Sequence, residues 1–353
     1  MDFDGKTILV TGAAGFIGSS LIKKLLENDI PNATILGCDN CNSYYDVHLK
    51  EARLKLLNEV VAKRNSSKYR FFQTDISEKN DLKSIFSEYR PNIVVNLAAQ
   101  AGVRYSIENP DVYMSSNIIG FYNVLECCRE FGVEHLVYAS SSSVYGSNRK
   151  YPYSTSDRTD NPVSLYAATK KADEVLAHSY AKLYEIPTTG LRFFTVYGPY
   201  GRPDMAYFSF SEKLRRNEKI RLFNFGNCSR DFTYIDDISE GIIRVMKKAP
   251  VKSLGDDGLP VPPYAIYNIG NGHPESLREF VTILSEELIR AGVLPKDFNL
   301  SDFVDFVPMQ PGDVQMTFAD MSEFKMVFGF SPKTNLRDGL AKFCTWYATW
   351  IKN

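Results

Sequence analysis

The stretch that most limits how this chain can fold is Thr11-Gly12-Ala13-Ala14-Gly15-Phe16-Ile17-Gly18, set between the apolar run Lys6–Val10 and an amphipathic segment. Glycines at this spacing let the backbone turn tightly and come close to a bound group. The following helix start offers unpaired N–H donors and the positive end of its dipole, a setting suited to a pyrophosphate. A glycine trio alone is a weak sign. Here a strand precedes it, a helix follows, and Asp39 stands about 20 residues further on, at the end of the next apolar run. A carboxylate there accepts hydrogen bonds from an adenosine ribose and repels a ribose phosphate, which favours NAD over NADP. Aspartate also commonly closes a strand and opens a turn, the plainer reading of Asp39.

Strand-like runs near residues 6–11, 33–38, 69–74, 93–97, 135–139 and 188–194 alternate with helical stretches such as 16–28, 112–131 and 165–184. This alternation predicts an α/β fold, a doubly wound parallel sheet of Rossmann type, with ligands at the carboxyl ends of the strands. After Tyr197 the segments shorten and Pro/Gly punctuation increases, at GPYGRPDM, at 255–263 and at MQPGD. The division expected is a cofactor domain over residues 1–195 and a smaller C-terminal substrate-binding α/β lobe over 196–353, with some segments returning to the first. Residues 255–263 read as an exposed loop.

The 41 basic and 42 acidic residues nearly cancel, so charge gives no reason to expect nucleic acid or an anionic membrane as partner. Six scattered cysteines with only four histidines suggest neither a zinc site nor a disulfide framework, and no metal is expected. Cys38-x-x-Cys41 sits at a strand end among polar residues and reads as loop rather than redox chemistry. No signal-like leader or membrane-length apolar run is visible, so the expectation is a cytosolic protein.

Tyr166 and Lys170, in LYAATKKADE, are four residues apart on a predicted helix and share a face. An ammonium beside a phenol stabilises phenolate and makes Tyr166 a usable general base. The pair is common by chance. It gains weight from the glycine turn and from the strand that ends in Ser140-Ser141-Ser142-Ser143-Val144-Tyr145-Gly146.

The turn spacing and the Tyr/Lys pair together resemble the extended short-chain dehydrogenase/reductase family, and the resemblance covers nearly the whole chain. It implies NAD as cofactor and assigns Ser141 as the third catalytic residue. It also implies cofactor contacts from Gly12, Gly15, Phe16, Ile17 and Gly18, and from Asp39, Asn40, Asn42 and Ser43. Further along it implies Asp75 and Ile76 beside adenine, Leu97, Ala98, Ala99 and Gln100 beside nicotinamide, and Asn117, Ser140 and Phe194. Leu97 and Ala98 are equally readable as plain core. Dehydratases and decarboxylases of this family usually carry an acid two residues before the position of Tyr145. Here Ser143 stands there, preceded by Ser142, which is similar to an epimerase.

AAQAGVRYSIENP, SSSSVYG, VYGPYGRPDMA and MQPGDV resemble UDP-glucuronate 4-epimerases within that family. The match implies that Thr195, Arg202, Ser142 and Ser143 face a hexuronate carboxylate, that Arg230 grips the diphosphate, and that Asp313 holds the uridine ribose. Arg221 and Phe223 are expected at the uracil. Arg104 reads either as a phosphate contact or as a loop cap, and Gln310 stands where galactose epimerases carry arginine. Arg202 has a second reading, as a loop residue paired with Asp204 or the diphosphate. Competing functions are 4-epimerisation of UDP-glucose or UDP-N-acetylglucosamine, decarboxylation of UDP-glucuronate, and a non-catalytic NAD-binding role, which an intact Tyr/Lys/Ser set disfavours. Helices 112–131 and 165–184 resemble those that pair across a two-fold axis in relatives, implying a homodimer.

Overall fold

Ile8, Leu9 and Val10 carry no exposed surface, and the strand they form, β1 (Thr7–Thr11), is flanked on both sides by other strands. The computed structural model describes residues 2–63, 68–309 and 314–352. After β1 come α1 (Phe16–Glu27), β2 (Thr34–Asp39), α2 (Val47–Val61), β3 (Lys68–Gln73), α3 (Lys79–Tyr89) and β4 (Ile93–Asn96). A longer helix, α4, then runs through Asp111–Tyr113, Met114–Ile119 and Gly120–Phe131. It leads to β5 (His135–Ser141), α5 (Leu165–Tyr184) and β6 (Thr188–Phe193). The remaining elements used below are β7 (Thr195–Tyr197), α6 (Ala206–Arg215), β8 (Ile220–Leu222), β9 (Ser229–Tyr234), α7 (Ile235–Met246), β10 (Tyr264–Ile269), β11 (Pro274–Ser276), α8 (Leu277–Arg290), β12 (Val304–Phe306) and α9 (Leu336–Trp350).

The sheet order is β3-β2-β1-β4-β5-β6-β10, and every pairing is parallel. The interior strands are apolar along their length because helices cover both faces, whereas edge strand β3 leaves residues partly exposed. Strand order reverses between β1 and β4, which opens a crevice at their carboxyl ends. Two hydrogen bonds fix this point: Thr11 Oγ1 donates to Asn96 Oδ1 at 2.6 Å, and the Ala98 amide donates to Thr11 Oγ1 at 3.1 Å.

α5 begins where Ser164 accepts the Ala167 amide at 3.1 Å, an N-cap that sets the helix register and hence the face carrying Tyr166 and Lys170. The expected helix 112–131 is continuous, but Met114–Ile119 is wound as π-helix. Such a turn rotates the side chains that follow relative to an α-helical count.

Beyond β6 the chain builds two small sheets, β7-β9-β11 and β8-β12, and Phe232 of β9 stacks on Phe280 of α8. The halves interleave. β10 returns to the large sheet beside β6, and α7 returns to α1, where Lys24 Nζ lies 3.1 Å from Glu240 Oε2. Within 255–263, Pro260–Val261 pairs with Ser253–Leu254 as a short exposed hairpin. Among the described residues no helix is long and apolar enough to cross a membrane.

Candidate active site

At the switch point the glycine turn is built for close approach. Gly12 has φ +70°, and a Cβ there would come within 2.8 Å of the Ala98 amide nitrogen. At Gly15 it would come within 2.9 Å of the Gly12 carbonyl oxygen, and at Gly18 within 2.1 Å. No side chain caps α1 at Gly15, so the first amides of the helix point outward as donors. Glycine backbone with open helix donors fits the pyrophosphate of a dinucleotide.

One cavity runs from this turn along the sheet end. Gly12, Gly15, Phe16, Ile17 and Gly18 line it at one side, with Asp39, Asn40, Asn42, Asp75 and Ile76 beside them. Leu97, Ala98, Ala99, Gln100, Ser140, Ser141, Tyr166, Lys170, Phe194 and Arg202 line the other part. Residues far apart in the chain are thus gathered on one surface.

Asp39 is more committed than its spacing suggests. It accepts the Ala14 amide at 3.1 Å and the Cys41 amide at 2.8 Å, so it ties the glycine turn to the end of β2. Lys50, which the sequence reading missed, lies 3.6 Å from Asp39 and donates to Asn42 Oδ1 at 3.0 Å. Its charge offsets part of the repulsion that Asp39 would exert on a ribose phosphate. Asn40 donates to Asp75 Oδ2 at 2.8 Å. The Asp75 carboxyl is disfavoured by burial, but its bonds to Asn40 and Ser77 hold it below the usual carboxylate range. Burial pushes the Cys38 thiol well up, which removes the thiolate that redox chemistry needs.

Two expected cofactor residues lie elsewhere. Asn117 sits in the π-turn, 1% exposed, and its amide is used within the protein. Its Oδ1 accepts the Gln100 amide at 2.8 Å, and its Nδ2 donates to the Gln100 carbonyl and to Thr169 Oγ1. It holds the Leu97–Gln100 strip from behind, while Ser116 lines the cavity. Ser43 is exposed and outside the cavity lining.

Around the expected catalytic trio the scaffold is dense. Lys170 is 2% exposed and donates to the Ala139 carbonyl at 3.0 Å and to Asp173 Oδ2 at 3.1 Å. Burial pushes the Asp173 carboxyl up to about 6 against the pull of Lys170. The Tyr113 ring meets that of Tyr166 edge-on at 6.1 Å. Ser141 Oγ accepts the Ser143 amide at 3.1 Å and caps the turn Ser142–Tyr145. Ser140 donates to Glu174 at 2.7 Å, and Glu174 is held by two bonds from the buried Arg192 guanidinium. The Lys170–Ala139, Ser140–Glu174 and Glu174–Arg192 bonds were not visible as a motif, because each joins separate segments.

Of the expected sugar and nucleotide contacts, Arg202 lines this cavity, and the others among the described residues lie outside its lining. Ser142 and Ser143 are partly buried in the turn after Ser141, and Thr195 opens β7. Arg202 reaches the cavity wall but is already paired with Asp204. Arg230, on β9, donates to the carbonyls of Ser229 and Gln315. Arg221 is exposed on β8, and Phe223 follows it with the Arg104 guanidinium 5.1 Å above its ring. The Arg104 guanidinium thus joins the loop after β4 to the lobe. Gln310 and Asp313 lie outside the described residues.

Comparison with known proteins agrees with this architecture. CapI of Staphylococcus aureus is 47% identical over 98% of this chain and 99% of its own length. UDP-glucuronate 4-epimerase 2 of Arabidopsis thaliana is 43% identical over 99% of this chain and 77% of its own. The crystal structure of UDP-glucuronic acid 4-epimerase from Bacillus cereus, in complex with UDP-glucuronic acid and NAD, superposes with a TM-score of 0.79 at 30% identity, covering 98% of this chain and 99% of that one. The sequence model of the NAD dependent epimerase/dehydratase family matches residues 8–270, from β1 through β10, and the chain belongs to that family.

Proposed function

We propose that this protein epimerises UDP-glucuronate at carbon 4 to give UDP-galacturonate, using NAD that stays bound through the cycle. The observation that carries the reading is the meeting of Tyr166, Lys170, Ser141 and Arg202 on the wall of one cavity that also contains the glycine turn.

Tyr166 takes the proton from the 4-hydroxyl, and the Lys170 ammonium stabilises the phenolate. Ser141 hydrogen-bonds the reacting oxygen and holds it toward Tyr166. The glycine turn and the cavity residues beside it would hold NAD, which would supply the acceptor and donor of hydride at carbon 4. Arg230 keeps the diphosphate anchored during that rotation, with Phe223 and Arg221 toward the uracil.

A 4-keto hexuronate is a β-keto acid, and it loses carbon dioxide when the bond to its carboxyl carbon aligns with the carbonyl π system. Arg202, Thr195, Ser142 and Ser143 hold the carboxylate out of that alignment. With serine at 143, the site lacks the acid that sibling dehydratases and decarboxylases use. Incubating the protein with UDP-glucuronate and separating the nucleotide sugars tests the proposal. UDP-galacturonate as the product supports it, and UDP-xylose or UDP-4-keto-pentose overturns it.

The same reading includes a cytosolic homodimer. Met114, Ile119 and Tyr122 on α4, with Val175, Leu183 and Tyr184 on α5, are large apolar side chains left at least partly exposed on neighbouring helices. Burying them against a second copy would remove that surface from water. Leu183→Glu should then shift the sedimentation of the native protein toward monomer.

A further inference from the structure

Arg202 and Asp204 stand two residues apart in GRPDM, with Pro203 limiting the backbone between them. Arg202 Nε donates to Asp204 Oδ1 at 3.0 Å and Nη2 donates to Oδ2, so the Nε–Nη2 edge of the guanidinium is closed. Burial works against both charges. The Arg202 guanidinium nevertheless holds the Asp204 carboxyl below the usual range, and Asp204 keeps Arg202 firmly protonated.

Asp204 has a second partner from the other half of the crevice. The Tyr44 hydroxyl donates to Asp204 Oδ2 at 3.3 Å. Tyr44 follows the Asn40–Ser43 segment, its ring lies 4.7 Å from that of Tyr105, and a Cβ on Gly102 would come within 2.8 Å of its hydroxyl. Tyr44 is therefore packed in place and spans from the loop after β2 to the loop after β7.

We infer that Asp204 and Tyr44 are positioning residues: they hold the Nε–Nη2 edge of Arg202 and aim its terminal Nη1–Nη2 edge at the sugar carboxylate. The inference rests on Arg202 reading that carboxylate, as proposed above. A guanidinium has two edges that each accept a carboxylate in fork geometry, so pairing with Asp204 does not exhaust it. An unheld arginine samples many rotamers and must be ordered as substrate binds, whereas a held one is already in place. The opposing effect is repulsion between Asp204 and the incoming carboxylate. The Asp204 side chain is 34% exposed, so water screens its field, while loss of orientation acts directly on the bond geometry.

Tyr44→Phe and Asp204→Asn separate the two effects, because the first removes a bond without changing charge. The measurements are KM and kcat for UDP-glucuronate, and Ki for UDP-glucose as a competing ligand. Asp204→Asn is expected to raise KM about tenfold and Tyr44→Phe about threefold, on the scale of one hydrogen bond each. Both should leave kcat and the UDP-glucose Ki within about twofold of wild type, and Asp204→Glu should recover part of the loss. An unchanged or lower KM in Asp204→Asn overturns the inference and makes Asp204 a competitor that substrate displaces. A parallel rise in the UDP-glucose Ki also overturns it, since the damage is then not specific to the carboxylate. A wild-type protein inactive on UDP-glucuronate brings down the reading of the cavity itself, and the inference with it.

Discussion

Lys170 reaches from the second turn of α5 to the carbonyl of Ala139, 3.0 Å away, and so fixes the helix that carries Tyr166 to the strand that carries Ser141. The two groups proposed to meet on one sugar oxygen are thereby referred to a single backbone atom. The same ammonium bonds to Asp173, whose other oxygen is buried without a partner among the described residues. The pair is thus an electrostatic unit rather than a lone lysine.

Tyr166→Phe should fold and retain NAD but lose turnover by about 10²–10⁴-fold, because the group that accepts the 4-hydroxyl proton is gone. A variant with wild-type rate would remove Tyr166 from the chemistry. Lys170→Met should also lose turnover. Since that change strands the buried Asp173 carboxyl, Lys170→Met/Asp173→Asn is the cleaner form of the test.

Asp39→Ala should weaken NAD binding by about tenfold, since it removes the proposed ribose acceptor and the tie to the Ala14 amide together. It should improve NADP relative to NAD, because Lys50 then keeps its charge without the neighbouring carboxylate. Titration of both cofactors measures this. A constant ratio would reduce Asp39 to a strand-end residue.

His135 gives a stability prediction with a definite sign. Its ring is fully buried at the start of β5, with Nε2 2.9 Å from Thr189 Oγ1. Burial lowers its pKa to about 4, against the opposing bond to the Met246 carbonyl. The unfolded imidazole binds a proton at about 6.5, so the unfolded chain takes up more protons between those values. The stabilisation is complete above about pH 6.5 and is lost as the pH falls toward about 4. Urea unfolding at pH 5 and pH 7.5 should show a difference that shrinks by roughly 2 kcal/mol in His135→Gln. An undiminished difference would place the acid sensitivity elsewhere.

Much of the fold was legible because its signals are local. The run Ile8–Val10, the glycines after it and the periodic Leu21, Ile22, Leu25 and Leu26 specify strand, turn and helix within one short segment. The face shared by Tyr166 and Lys170 follows from helix geometry alone. What was not legible depends on segments meeting in space. The π-turn at Met114–Ile119 left no mark in the sequence pattern, and it turns Asn117 away from the cavity toward Gln100. The Lys50–Asp39 approach, the Ser140–Glu174–Arg192 chain and the Tyr44–Asp204 bond each join residues whose proximity only the folded sheet creates. Arg202 shows both sides. Its place at the crevice was implied by the family resemblance, whereas the way its guanidinium is held beside Tyr44 was not.

The claim at the centre is that the cavity reads a sugar carboxylate, and Arg202→Ala tests it most directly. The measurement is kcat/KM of wild type and variant on UDP-glucuronate and on UDP-glucose, with the products separated. A partly buried charge-assisted pair contributes on the order of 1.5–3 kcal/mol, so turnover of the acidic sugar should fall by roughly ten- to a hundredfold. Residual turnover of the neutral sugar should change far less, and UDP-4-keto-pentose should begin to appear from the acidic one as its carboxylate is freed to rotate. Equal losses on both sugars would contradict the assignment and remove the main physical reason for a hexuronate substrate.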